Sequence, residues 1–198
     1  FDQITAVKAV YVPEENKNFT AYFAGNVDVA TRDSLKVKTE QVTYRKADET
    51  VTVDDNVTFQ RDNIHGSAFG AVIKVREKQL ELLRDVKIDS VDAANPETKR
   101  AHMNAGSASY DQINERINVD SGVEASIFPT PGNQRKIDVS SGRGVAYLTI
   151  ADNNRDVSRL ELFDNVKIDS AASSEKPTKI SSGYALYVKD ADRFELKR

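Results

Sequence analysis

Few residues of this 198-residue chain could do acid–base, nucleophilic or metal chemistry, and they are poorly spaced for it. There is no Cys, which excludes thiol catalysis, zinc–thiolate sites and disulfides together. The two histidines are isolated. His65 stands beside Gly66, where a turn is expected, and His102 at a strand edge, so both read as surface or structural residues. No HExxH, GxSxG, P-loop or GxGxxG pattern occurs. The carboxylate pairs Glu14-Glu15 and Asp54-Asp55 are sequence neighbours, and neighbours on a strand point to opposite faces, which argues against a shared catalytic dyad. The acidic breaks in the chain vary from one to the next, unlike a repeated calcium loop. Asn18-Phe19-Thr20 and Asn56-Val57-Thr58 match the glycosylation pattern and are read as chance matches on strands. The expectation is a protein with no catalytic residues, no metal and no cofactor.

The elements that would carry any other function are written twice. Leu80–Ser90 reads LELLRDVKIDS and Leu160–Ser170 reads LELFDNVKIDS, with eight of eleven positions identical at an offset of 80 residues. Leu80, Leu82, Val86 and Ile88 alternate with polar residues, the period of a strand with one buried face. Arg84-Asp85 in one copy and Asp164-Asn165 in the other interrupt that period. Each copy is therefore read as two strand segments joined by a bulge at residues that tolerate unusual backbone.

A shorter signature extends the repeat through the chain: a polar or small pair, then Val, then an apolar residue two further on. Its Val positions are 27, 57, 86, 123 and 166. A second signature alternates with it, a small residue followed by a longer apolar or aromatic one, as in Ala9-Val10-Tyr11, Val42-Thr43-Tyr44, Ala108-Ser109-Tyr110, Ala146-Tyr147 and Ala185-Leu186-Tyr187. This gives about six units, the last cut short at Phe194–Leu196. Turns are expected at Pro13–Asn16, Lys46–Glu49, Asp111–Asn114 and Lys189–Asp192, and looser loops at Asp92–Arg100, Phe128–Gln134 and Ala171–Thr178. No long window keeps a helical period, so the fold class is all-β and the chain is read as one domain over residues 1–198.

Composition agrees with a globular protein at 39% hydrophobic and 30% charged. Net charge is −3, spread evenly: residues 1–100 hold 15 Lys+Arg against 17 Asp+Glu, and residues 101–198 hold 13 against 14. That balance lacks the basic excess a nucleic-acid binder needs to neutralise phosphates. No apolar run approaches the ~20 residues that span a bilayer. The chain begins at Phe1 and its one Met is Met103, so a signal or anchor segment is expected to precede it in the full-length protein.

Two repeated architectures suit units of this length, a stacked β-helix and an antiparallel meander folded into an elongated open jelly roll. Turns every 8–12 residues favour the meander. In either, Lys36, Lys38, Lys74, Arg76 and Lys87 alternate with the apolar set and face outward.

The alternation of an A-x-Y strand with a G-N-V-x-V/F strand resembles the OstA-like domain of periplasmic lipopolysaccharide-transport bridge proteins, the LptC and LptA type. It is clearest in Phe19–Val29, Val42–Phe59, Ile64–Ile88 and Ala108–Val123. The resemblance implies a non-enzymatic periplasmic protein that accepts the acyl chains of lipopolysaccharide between apolar faces and passes the lipid along the export bridge. The residues it would use are Phe23, Val27, Leu35, Val37, Val53, Val57, Phe59, Phe69, Ile73, Leu80, Leu82, Val86, Ile88, Met103, Ile117 and Val119. The resemblance also implies head-to-tail pairing with other bridge components and an inner-membrane ABC transporter as a partner. The candidate edge for such pairing is Gly183–Lys189 with Phe194–Leu196, through Tyr184, Leu186, Tyr187 and Val188. Membrane contact would come only through the expected anchor. The alternative from the residues alone is a structural or adhesive β-repeat domain, such as a β-helix, whose apolar residues form a dry core.

Overall fold

The computed structural model describes residues 3–31, 34–92, 94–130, 134–151, 154–172, 177–188 and 193–197. Alternating apolar residues and polar turns produce strands nearly throughout. They are β1 (Gln3–Thr5), β2 (Lys8–Pro13), β3 (Phe19–Ala30), β4 (Lys36–Arg45), β5 (Thr50–Arg61), β6 (Ile64–Lys74) and β7 (Gln79–Val91). The chain continues through β8 (Lys99–Asp111), β9 (Arg116–Ile127), β10 (Arg135–Ser141), β11 (Arg143–Ala151), β12 (Asn154–Ala172), β13 (Thr178–Val188) and β14 (Arg193–Lys197). Among the described residues there is no α-helix, only a 3₁₀ turn at Glu15–Lys17.

All fourteen strands join one antiparallel sheet in which each long strand pairs with the next. The β-helix alternative, with its parallel coils, is thereby excluded. β1 and β2 both pair with β3 and are one strand broken at Ala6-Val7; β10 and β11 lie between β9 and β12 and are one strand broken at Gly142. The result is six hairpin units with a shortened last strand. The turns at Lys46–Glu49 and around Asp111–Asn114 form as expected, while Lys189–Asp192 lies outside the described residues.

Nearly every strand is kinked at mid-length. Register shifts fall at Ala24/Val27, Thr39/Thr43, Val53/Asn56, Ser67/Phe69, Leu82/Val86, Ala105/Ser107 and Phe163/Val166. The recurring polar pairs lie at these kinks. Asn26 (φ 47), Asp85 (φ 52), Ser121 (φ 67), Asp164 (φ 65) and Asn165 (φ 56) all take the left-handed conformation, which Asn and Asp adopt more readily than other side chains. The breaks line up across the sheet. The Gly142 N–H donates to the Asp164 carbonyl at 2.7 Å, and the Val7 N–H to the Gly25 carbonyl at 3.0 Å. At Gly106 a Cβ would lie 2.4 Å from Ser121 Cβ, so the bulge in β9 fits only because its neighbour has no side chain.

The line of kinks folds the sheet into two limbs. Limb A holds β2, β11, β14, the residues before the kink in β3, β5, β7, β9 and β12, and those after it in β4, β6, β8 and β13. Limb B holds the remainder. Val27, Val57, Val86, Val123 and Val166, the constant residues of the shorter signature, are exposed by 0, 1, 1, 2 and 1%. Burying each contributes about 1.5–3 kcal/mol. One core cluster joins limb B residues such as Val29 and Val37 to limb A residues such as Val51 and Leu82. A second joins Ile137, Val139 and Ile168 of limb B to Leu162 and Ala185 of limb A. The limbs thus close face to face, an all-β jelly-roll-like fold.

His65 departs from its expected place. It lies within β6, paired across to Gln60 and Asp89, because the tight turn falls earlier, at Asp62-Asn63 between the paired Arg61 and Ile64.

Candidate functional site

Among the described residues, side chains from most strands converge in the space between the limbs. Of the residues expected to face it, Val27, Leu35, Val37, Val53, Val57, Ile73, Leu80, Leu82, Val86 and Val119 belong to the buried core. Phe23, Phe59, Ile88, Met103 and Ile117 are half-buried and pack against it. Phe69 is corrected. The inward side chain beside it is Ala68, 3% exposed, and the Phe69 ring instead carries the guanidinium of exposed Arg84 at 4.4 Å. Its strand shifts register at Ser67/Phe69, and Gly70 follows at φ 79, so alternation counted from β6's far half assigns Phe69 to the wrong face.

A cavity of about 40 Å³ remains inside. Its walls are Leu35, Phe59, Ile64 and Ile88 from limb B and Leu80, Leu82, Ala108, Ile117 and Leu148 from limb A. Ser109, two arginines and a tyrosine complete its lining, the last three being Arg61, Arg155 and Tyr110. Of these three only Tyr110 belongs to a recurring signature; Arg61 and Arg155 carry no pattern that would single them out.

These polar residues tie the free ends of the two limbs together. The Arg61 Nη1 donates to the Tyr110 hydroxyl at 3.1 Å, and the guanidinium lies 5.5 Å from the Tyr110 ring centre. The Tyr110 hydroxyl donates to Glu115 Oε2. The Arg155 Nε donates to that hydroxyl and to Glu115 Oε2, each at 3.2 Å, and its Nη1 pairs with Asp62. Asn63 adds a reciprocal amide pair: the Arg155 N–H donates to Asn63 Oδ1 at 3.1 Å, and Asn63 Nδ2 donates to the Arg155 carbonyl at 3.2 Å. Burial opposes the charge of Arg155, but its bonds with Tyr110 and Glu115 outweigh that and hold it protonated. Burial, reinforced by the Glu115 carboxylate, pushes the Tyr110 phenol up to about 12.

The outer face is an ordinary solvated one. Lys38 pairs with Asp28 at 3.4 Å and Lys74 with Glu81 at 2.6 Å, while Lys36, Arg76 and Lys87 are exposed. His102 Nδ1 lies 2.7 Å from Asp89, which also accepts from Lys99 at 2.9 Å. Burial would raise the Asp89 carboxyl, but the hydrogen bonds it makes with Lys99 and His102 hold it below the usual range. Among the described residues no group of three or more His, Asp and Glu is placed to hold a metal ion.

Of the expected partner edge, Phe194–Leu196 lie in β14 at one end of the sheet, and Tyr184–Val188 lie one strand further in. β13 pairs with β12 on one side, and through Tyr184–Val188 with β14 on the other. Tyr184, Leu186, Tyr187 and Val188 are therefore internal, because the short β14 covers them. The sheet's unpaired edges are β1–β2 at one end and β14 at the other. β2 is exposed along its whole length, with Val10 at 43%, Tyr11 at 61% and Val12 at 43%.

Residues 3–91 match a protein family described as lipopolysaccharide-assembly, LptC-related. The matched segment runs from β1 to the last residue of β7, and the sheet continues beyond it with the same kinked antiparallel pairing. No curated protein matches the chain.

Proposed function

From the match of residues 3–91 to the LptC-related family, which supports an LptC/LptA-type lipopolysaccharide-transport protein, we propose that this chain binds lipopolysaccharide without covalent chemistry and hands it on across the periplasm. The acyl chains lie between the two limbs and the sugar–phosphate headgroup stays in water. The observation that carries this reading is the apolar interior shared by both limbs, continuous from Val29 and Val37 through Leu80 and Leu82 to Val119. Each methylene buried there contributes about 0.8 kcal/mol, so a multi-acyl lipid gains strongly from such a slot. Neighbouring bridge components join by adding strands to the open edges at β1–β2 and β14, where main-chain hydrogen bonds supply affinity.

Site-specific photo-crosslinking tests the slot. A photoreactive side chain at Phe59, Ile73 or Leu82 is expected to label lipopolysaccharide, and one at exposed Lys36 or Lys87 is not. Equal labelling at inward and outward positions would falsify the slot. The small volume of the cavity favours a second reading, a β-repeat protein with a dry core. That reading predicts no labelling at any of the five positions.

A further inference from the structure

A cavity of about 40 Å³ cannot hold an acyl chain. It is well under the ~150 Å³ of an apolar cavity that takes a benzene-sized guest. On the transport reading above, on which this inference rests, the limbs must part before lipid goes in. They are joined across the kinks by the strands themselves, which run from one limb into the other, so they part at the opposite side, where their hairpin ends meet.

At that place the closure is polar. Asp62 and Asn63 form the β5–β6 turn of limb B, Tyr110 and Glu115 flank the β8–β9 turn of limb A, and Arg155 opens β12 in limb A. Arg61 and Arg155 are each 7% exposed, and both line the cavity. The sequence separations of the bridging bonds, 49 for Arg61–Tyr110 and 93 for Asp62–Arg155, show that they join distant parts of the meander. A closure made of leucines would expose apolar surface whenever it opened. Asp62, Glu115 and Arg155 instead recover water on opening, which lowers the cost of the open state relative to an apolar seam.

We propose that Arg155, held by Asp62, Glu115, Tyr110 and Asn63, is a latch across the mouth of the lipid slot, and that its opening limits the rate at which acylated lipid is taken up and released.

The chain has no native Cys, so labels can be placed freely. Spin labels at Gln60→Cys in limb B and Ile113→Cys in limb A, both exposed, report the separation across the mouth. Without lipid the separation is expected to be short and narrowly distributed, and lipopolysaccharide should lengthen it. The Asp62→Asn, Glu115→Gln double variant should show the longer separation without lipid. It should also take up both lipopolysaccharide and the apolar dye N-phenyl-naphthylamine at least tenfold faster. Circular dichroism checks that the double variant folds. A converse variant needs no weakened latch: joining the Gln60→Cys and Ile113→Cys thiols with a reducible bis-maleimide should block uptake of both probes until the linker is cut. Failure of lipopolysaccharide to bind, with dye uptake still faster in the double variant and blocked by the linker, would overturn the transport reading and support the latch. Dye uptake and separation unchanged in the double variant, or uptake unaffected by the linker, would overturn the latch whatever lipopolysaccharide does.

Discussion

The ring of Phe59 lies directly over Gly66, its partner across β5 and β6: a Cβ built on Gly66 would fall 2.1 Å from Cζ and 2.5 Å from Cε1. The ring is accommodated at the cavity wall because its neighbour has no side chain. Gly66→Ala also meets the Lys87 carbonyl at 2.8 Å, so neither the ring alone nor the backbone alone can relieve it. Such overpacking is expected to cost about 1–3 kcal/mol, read as a lower urea midpoint with unchanged slope. Combining it with Phe59→Leu should recover only part of the loss, since the contact with the backbone remains.

The kinks rest on backbone that most side chains resist. Asp85 sits at φ 52 in the bulge between Leu82 and Val86. Asp85→Gly, free of Cβ strain there, should leave stability unchanged or slightly higher. A β-branched residue is strained at positive φ, so Asp85→Val should lower stability by about 1–3 kcal/mol. Thermal unfolding of the two variants side by side checks the order. Equal stabilities would mean that the bulge relaxes to another backbone form.

Much of this architecture was legible because its signals are local. The alternation in Leu80–Ile88, the polar pair that interrupts it and the Val that follows are read within a few residues, and they mark strand, kink and core in turn. What escaped were features set by long-range geometry. The inward face is assigned by counting in twos, and a bulge resets the count; hence Phe69 points outward behind Gly70. The pairing of Asp62 and Asn63 with Arg155 depends on how far the folded sheet curves, which no window of sequence records. Phe194–Leu196, read as part of the candidate edge, do lie in the terminal strand, but the sequence did not show that this five-residue strand pairs over Tyr184–Val188 and takes the outer place itself.

Alkaline titration isolates Tyr110. Its phenol titrates at 10.0 when unperturbed and is pushed up to about 12 in the fold, chiefly by burial and then by its bond to Glu115. A raised folded value means that the protonated form is the one the fold favours. Its contribution is complete below pH 10.0 and is lost as pH rises through about 12. Tyr110→Phe removes the hydroxyl that Arg61 and Arg155 share, so the variant should be less stable at pH 8. The difference from the parent should then shrink between pH 10 and 12. A difference that stays constant over that window would show that the phenol ionises as freely in the fold as out of it.

The last expectation concerns the exposed edge. Soluble proteins commonly protect a free strand edge with charge, a bulge or a cover. β2 presents Val10, Tyr11 and Val12 with one charge, at Lys8, and pairs on one side only. Nearby Val7 is 80% exposed and Tyr22, across the ladder, 47%. Surface changes at such positions alter stability by no more than about 0.5 kcal/mol, so Val10→Lys with Val12→Lys should keep the circular dichroism spectrum and melting temperature of the parent. If β2 receives the incoming strand of a second copy or of a neighbouring bridge component, the two lysines place like charges along the joint. The variant should then stay monomeric in analytical ultracentrifugation at concentrations where the parent associates. The same pair of changes on the outer face of an internal strand, Lys36 left in place and Thr58→Lys with Gln60→Lys added, should leave association intact. Loss of association in both variants would point to net charge rather than the edge, and loss in neither would place the joining surface away from β2.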